Sequence, residues 1–262
     1  MLPYWYSTVQ AKTPLNTGDE EDDVGIQASN IAEVRGLIAP LLRSASRSAR
    51  SASLQSSHRI RFSTTMPISR FLVISLGNPS PYLDTLHSAG HLALDALQRL
   101  LSPDQLPFVS DRYGKKTVLA SAGPRYIMLQ SPTLMNVSGP WVAAAWKGVL
   151  SDQGLGPSEL PLVLVHDDLE EDLGVVKVKQ WKSSHRGHNG VKSVHASLNI
   201  SQYPGALWAR ISVGIGRPEG RDKSTVSDYV LRKMSKWEKS TIQDQAGPGI
   251  IRVLTELEQK WS

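Results

Sequence analysis

No cysteine occurs anywhere in this chain, which excludes disulfides, a thiol nucleophile and Cys-ligated zinc or iron–sulfur sites. Long apolar runs are missing too: no stretch of about 18 residues is apolar enough to cross a bilayer, so no membrane partner is expected. There is no G-x-S-x-G elbow for a serine hydrolase and no G-x-x-x-x-G-K-[ST] loop for an NTPase. GIGRPEG (Gly214 to Gly220) has the wrong spacing for the dinucleotide fingerprint G-x-G-x-x-G. Acidic residues are absent between Val175 and Ser197, where Lys177, Lys179, Lys182, Arg186 and Lys192 accumulate.

What remains divides into two regimes. Residues 1–65 show no sustained apolar periodicity. They carry an acidic block, GDEEDD (Gly18 to Asp23), and then a Ser-rich stretch with Arg43, Arg47, Arg50, Arg59 and Arg61 and no acid (Gly36 to Thr65). That composition predicts a disordered or organellar targeting segment, mitochondrial in character. Met66 is an alternative start, which would leave a cytoplasmic protein.

Residues 66–262 alternate apolar runs with helical spacing. FLVISL (Phe71 to Leu76), YIMLQ (Tyr126 to Gln130), LPLVLVH, VVKVKQ and LWARISVGI read as strands. HLALDALQRLL, VAAAWKGVL, the segment after Asn189 and the stretch from Lys236 to Gln259 read as helices, with Gly247-Pro248-Gly249 expected to interrupt the last. The alternation predicts one three-layer α/β domain whose mixed, largely parallel sheet is flanked by helices. In such sheets, sites gather at the carboxyl ends of strands.

The polar motifs fall at those ends. Asn78 follows the first strand and is held extended by Pro79. His87 precedes a helix, and a neutral imidazole can accept a proton from water near neutral pH. HDD (His166 to Asp168) ends another strand, and Asp167 is the carboxylate best placed to fix an imidazole tautomer. Paired aspartates also suit Mg²⁺, but no second carboxylate cluster accompanies them, so neither metal nor cofactor is expected. Asn136 in MNVSG and Asn189 in GHNG bring carboxamides near helix starts, where they could cap a helix or donate to an oxyanion. His188 reads as a packing or capping residue. The two-residue period puts Lys177 and Lys179 on one strand face, suited to a phosphate backbone, with Trp181 beside them.

These motifs resemble, in order, those of the bacterial-type peptidyl-tRNA hydrolase family: LGNP, the following histidine, MNVSG, HDDLE, GHNG with VKS, and VGIGRP (Val213 to Pro218). The resemblance implies hydrolysis of the ester joining a peptide to the 3′ ribose of tRNA, without metal. By motif position it makes His87 the base, Asp167 its orienting partner and Asn78 a positioner of water. Tyr82, Met135, Asn136 and Asn189 would contact the peptidyl end, and Lys177, Lys179, Arg186, Lys192 and Arg210 would face tRNA. The sequence departs from the pattern at Leu86, Ser88 and Ser212, and where Trp181 to Arg186 replaces a glycine-rich loop. A non-catalytic RNA-binding relative on the same fold is the alternative. A monomer is expected.

Overall fold

The computed structural model describes residues 70–262; the expected targeting segment, residues 1–65, lies outside the described residues. In chain order the elements are β1 (Phe71–Ser75), α1 (Ala89–Leu100), β2 (Val109–Tyr113), β3 (Lys116–Ala122), β4 (Tyr126–Gln130), α2 (Ser138–Gln153) and β5 (Leu162–Asp168). They continue with β6 (Val176–Gln180), α3 (Asn189–Ser197), β7 (Trp208–Gly214), α4 (Lys223–Leu231) and α5 (Lys236–Trp261).

The near-continuous apolar character of FLVIS, YIMLQ and LVLVHD is what a strand buried on both faces requires. These strands form the parallel centre of a seven-stranded sheet ordered β2-β3-β4-β1-β5-β7-β6. The flanking strands β2, β3 and β6 pair antiparallel and carry the exposed positions. One sheet face, with Phe71, Val73, Val163 and Val165, packs on Leu94 and Leu97 of α1 and Ile250, Val253 and Leu254 of α5. The other, with Leu72, Ile74, Leu162 and Leu164, packs on Trp146 and Val149 of α2 and Val191 and Val194 of α3. The three-layer expectation therefore holds, and among the described residues no helix is long and apolar enough to cross a membrane.

The structure departs from the sequence reading in three places. The β2–β3 hairpin was not foreseen, because its strands are largely exposed; Gly114 and Lys115, at φ 55° and 67°, supply the left-handed residues of its tight turn. Helix α4 was likewise unforeseen, as none of its residues is fully buried. Pro248 does not interrupt α5, which runs unbroken through it for 26 residues. An interior proline costs about 3 kcal/mol, but burial of Ile242, Ile250, Val253, Leu254 and Leu257 offsets that at about 1.5–3 kcal/mol each. The neighbouring glycines let the helix lie close: a Cβ on Gly249 would fall 2.7 Å from Val176.

The strand order puts the carboxyl ends of β4, β1 and β5 side by side, and α1 crosses directly above two of them. A Cβ on Gly90 would lie 2.6 Å from the carbonyl of Leu76 and 2.8 Å from that of Val165. Backbone cannot yield as a side chain can. Gly90→Ala is therefore expected to destabilise the domain by roughly 1–3 kcal/mol. Gly148→Ala, in α2 with no atom near its added methyl, should gain up to about 1 kcal/mol from helix propensity. Urea denaturation of the two variants checks both signs.

Candidate active site

Four segments build the site: the carboxyl ends of the adjacent strands β4, β1 and β5, and the loop between β6 and α3. After β1, the amide of Leu76 bonds the carbonyl of Val165 (2.8 Å), tying the chain to β5 before it turns at Gly77. The Asn78 amide donates to Ser88 Oγ (2.9 Å), and that hydroxyl donates to the Tyr82 carbonyl (2.9 Å), closing the loop just before α1. Ser88 thus does structural work at one of the positions where the chain departs from the family pattern. The buried Asn78 carboxamide accepts the Met135 amide at Oδ1 (2.9 Å), so its Nδ2 donors must point the other way. Tyr82 stands at the surface of the same loop, 42% exposed.

His87 sits in the 3-10 turn Leu86–Ser88. Its Nδ1 donates to both oxygens of Asp167, at 3.0 Å each, leaving Nε2 as the unprotonated nitrogen. Asp167 is buried and receives a second imidazole: His188 Nε2 lies 3.0 Å from Oδ1. The tautomer of His188 is fixed from its other side. Its Nδ1 caps α3, accepting the amides of Gly190 (3.1 Å) and Val191 (3.3 Å), so the proton must sit on Nε2 and point at Asp167. The capping role read from sequence is correct, but it is half of what His188 does. One nitrogen spent on a helix start leaves the other aimed away from the helix, and that was the available signal.

The electrostatics follow from this arrangement. Burial would lower the pKa of His87, but the charge and hydrogen bond of Asp167 outweigh it and hold His87 above the ordinary imidazole value. Burial also opposes ionisation of Asp167, yet the two imidazoles hold its carboxyl far below the usual carboxylate range. His166, the neighbour of Asp167 on β5, goes the other way: burial lowers it to about 3, so it stays neutral. It donates Nδ1–H to the Asp167 carbonyl (2.7 Å) and packs edge-on against His188 with ring centroids 4.9 Å apart.

The turn Met135–Val137 after β4 packs onto the start of α3. A Cβ on Gly190 would come within 2.3 Å of Met135 Sδ, and Gly139 N donates to Ser193 Oγ (2.9 Å). Met135 is consequently buried, while Asn136 and Asn189 stand exposed on these two adjoining segments. The site-forming motifs MN, HD, HNG and LGNP are thus joined by direct contacts.

The model of the family described as peptidyl-tRNA hydrolase matches residues 72–260. The chain belongs to the peptidyl-tRNA hydrolase family. It is 36% identical over 174 residues to a peptidyl-tRNA hydrolase from Delftia acidovorans, spanning 66% of this chain and 77% of that protein. A relative of the same name from Anaeromyxobacter sp. is 38% identical over 176 residues, 65% of this chain and 81% of its own. The crystal structure of peptidyl-tRNA hydrolase from Acinetobacter baumannii shares the fold at TM-score 0.52 and 22% identity, covering 79% of this chain and 97% of that one.

Against this family background the expected tRNA-facing cations divide. Arg186 and Lys192 are exposed beside the GHNG motif and form no ion pair among the described residues. Lys177 and Lys179 do share one strand face, but both contact Glu171, and Lys179 also reaches Asp168 (3.2 Å). The sequence reading missed these acids because they precede the strand. The β5–β6 loop folds back over the end of β7, where a Cβ on Gly214 would fall 1.9 Å from the Asp172 carbonyl. Arg210 requires a correction: it is 2% exposed and donates inward to backbone carbonyls, so it cannot bind RNA from the surface. β7 is buried on both faces and offers no outward side.

His87, Asp167 and His188 lie close enough to ligate one metal ion. The capping geometry opposes it: a metal on His188 Nε2 would force the proton onto Nδ1, against two amide donors. The donor set fits a hydrogen-bonded carboxylate. Nuclear magnetic resonance titration of the imidazoles should accordingly give His87 a pKa above about 6.5. In Asp167→Asn, which removes the stabilising charge but not the burial, that pKa should fall. An unchanged value would mean the pair is not coupled in solution.

Proposed function

We propose that the protein hydrolyses the ester between peptide and tRNA in peptidyl-tRNA, releasing both, with His87 as general base. The observation that carries this reading is the two-oxygen contact of His87 Nδ1 with buried Asp167, which leaves Nε2 as a proton acceptor. A protein that only bound RNA would have no use for an oriented base. The family's relatives bear the name of the same activity.

The chemistry is a water attack. His87 Nε2 takes one proton as the water oxygen adds to the ester carbonyl, and Asp167 stabilises the imidazolium that results. The tetrahedral oxyanion is met by carboxamide N–H donors, for which Asn78, Asn136 and Asn189 are the candidates. Collapse expels the 3′ ribose oxygen, which recovers the proton from His87. Tyr82 offers apolar surface to the peptide, whereas Met135, expected to line the same path, is buried against Gly190 and bears on the site by donating its amide to Asn78. Arg186 and Lys192 supply free charge for the tRNA backbone. Lys177 is exposed, and its ion pair with Glu171 is worth about 0–1 kcal/mol, so a phosphate can displace the carboxylate at little cost. Lys179 is more enclosed and held by two acids, so it serves the site mainly by fixing the loop. The enzyme is taken to act as a monomer. The Arg- and Ser-rich segment ahead of Met66 supports a mitochondrial setting, checked by mass spectrometry of the endogenous protein, which should lack its first residues.

Purified protein should release free peptide from N-blocked aminoacyl-tRNA, and His87→Ala should lose about 10²–10⁴-fold in kcat/KM while still binding tRNA. Equal turnover by the variant would overturn the reading. The pH dependence has a definite sign. Only neutral His87 accepts a proton, and its pKa is raised, so the rate should decline as pH falls, beginning above the ordinary imidazole range. A flat rate across that range, with chemistry limiting, would contradict the role.

A further inference from the structure

A buried arginine without a counter-ion is costly to keep, and Arg210 is one: among the described residues it forms no ion pair, and its Nε is buried without a partner. Its Nη2 is fully engaged, donating to the carbonyls of Ser183 (2.7 Å), Gln180 (3.4 Å) and Ser184 (3.4 Å). Three carbonyls of one turn converge on a single cation beneath it. Trp181, in the same turn, is 5% exposed and packs against Trp208 and His195, with ring centroids 4.9 Å and 5.4 Å away. The turn is therefore gripped by its backbone and by a side chain.

From that turn a series of local hydrogen bonds within the loop leads toward the active site. Arg186 N donates to Ser184 Oγ (3.2 Å), Gly187 N to His185 Nδ1 (3.1 Å) and His188 N to the His185 carbonyl (2.8 Å). Arg186 is held at φ 45° and Gly187 at φ 86°, left-handed values that only a fixed loop keeps in an arginine. The run ends at His188, whose Nε2 meets Asp167, and at Asn189 beside it.

We propose that Arg210 is a positioning residue for hydrolysis, pinning the Gln180–Ser184 turn so that His188 stays in contact with Asp167 and Asn189 stays at the site. The proposal rests on the hydrolase reading above and assigns Arg210 an effect on kcat instead of on tRNA binding. A lysine at this position keeps the charge but is one bond shorter, so its ammonium falls short of the carbonyls that Arg210 Nη2 reaches. A shift of about 1 Å in a catalytic partner costs up to about a hundredfold.

The test compares Arg210→Lys and the double variant Ser183→Gly/Ser184→Gly with the unaltered protein. Steady-state hydrolysis of N-blocked aminoacyl-tRNA is measured at several salt concentrations, together with amide hydrogen exchange across residues 181–189. Both variants are expected to lose about tenfold or more in kcat with KM changed less than about twofold. The salt dependence of tRNA binding should be unaltered, and exchange across the loop faster. A raised KM and a shallower salt slope at constant kcat in Arg210→Lys would overturn the proposal and make Arg210 a phosphate contact. Faster loop exchange with kcat unchanged would also overturn it. If Arg210→Lys fails to fold, the exposed-loop double variant decides alone, and unchanged kcat there counts against the proposal. Turnover by the unaltered protein separates the two readings: its absence would sink the hydrolase assignment, while exchange still reports the pinning.

Discussion

One buried carboxylate accepting hydrogen bonds from two imidazoles is the constraint on which this site depends. Asp167 stays ionised in a place where burial alone would protonate it, because His87 and His188 both donate to it. Each partner gains in return. His87 is left with its basic nitrogen free, and His188 closes the first turn of α3 with the nitrogen it does not use on Asp167. Withdrawing any one of the three leaves a buried polar group without its partner, which costs about 1–3 kcal/mol or more. The site is accordingly a unit, and no member of it can be exchanged singly.

The fold serves that unit by bringing distant segments to one edge. The two imidazoles lie 80 and 21 residues from Asp167 in the chain; the pairing of β1 with β5 brings the His87 loop beside Asp167, and the loop between β6 and α3 brings His188. Close approach does the rest. Gly90 lets α1 cross the ends of β1 and β5, while Gly190 and Gly139 let α3 meet the turn and helix that follow β4. The Trp181 to Arg186 loop is contacted by Arg210 of β7 at three backbone carbonyls at its start and by the packing of Trp181 on Trp208 and His195.

Much of this was legible in the sequence. The parallel centre could be read because strands buried on both faces must be apolar throughout; Asn78 was read from its place just after such a strand, Asp167 from the end of another, and His87 from its place before a helix and from the family resemblance. What escaped was information carried by space instead of by order. The β2–β3 hairpin shows little alternation because few of its side chains are buried. Pro248 breaks helices in general, and here it is overridden by tertiary packing on both sides of α5. Lys177 and Lys179 looked unopposed because Glu171 and Asp168 lie upstream and reach them only through a folded loop. Arg210 looked like a surface cation because alternation normally gives a strand a wet face, and β7 has none. His188 was read for its local duty at the helix start, and its second duty involves a residue from another strand.

The central claim is that Asp167 acts through His87 and not beside it. A double-mutant cycle on kcat/KM tests this most directly, using His87→Ala, Asp167→Asn and the two combined. The account predicts that each single change is severe and that adding Asp167→Asn to His87→Ala costs little more. Losses that multiply, with all three variants folded, would show that the carboxylate works independently of the base and would contradict the mechanism.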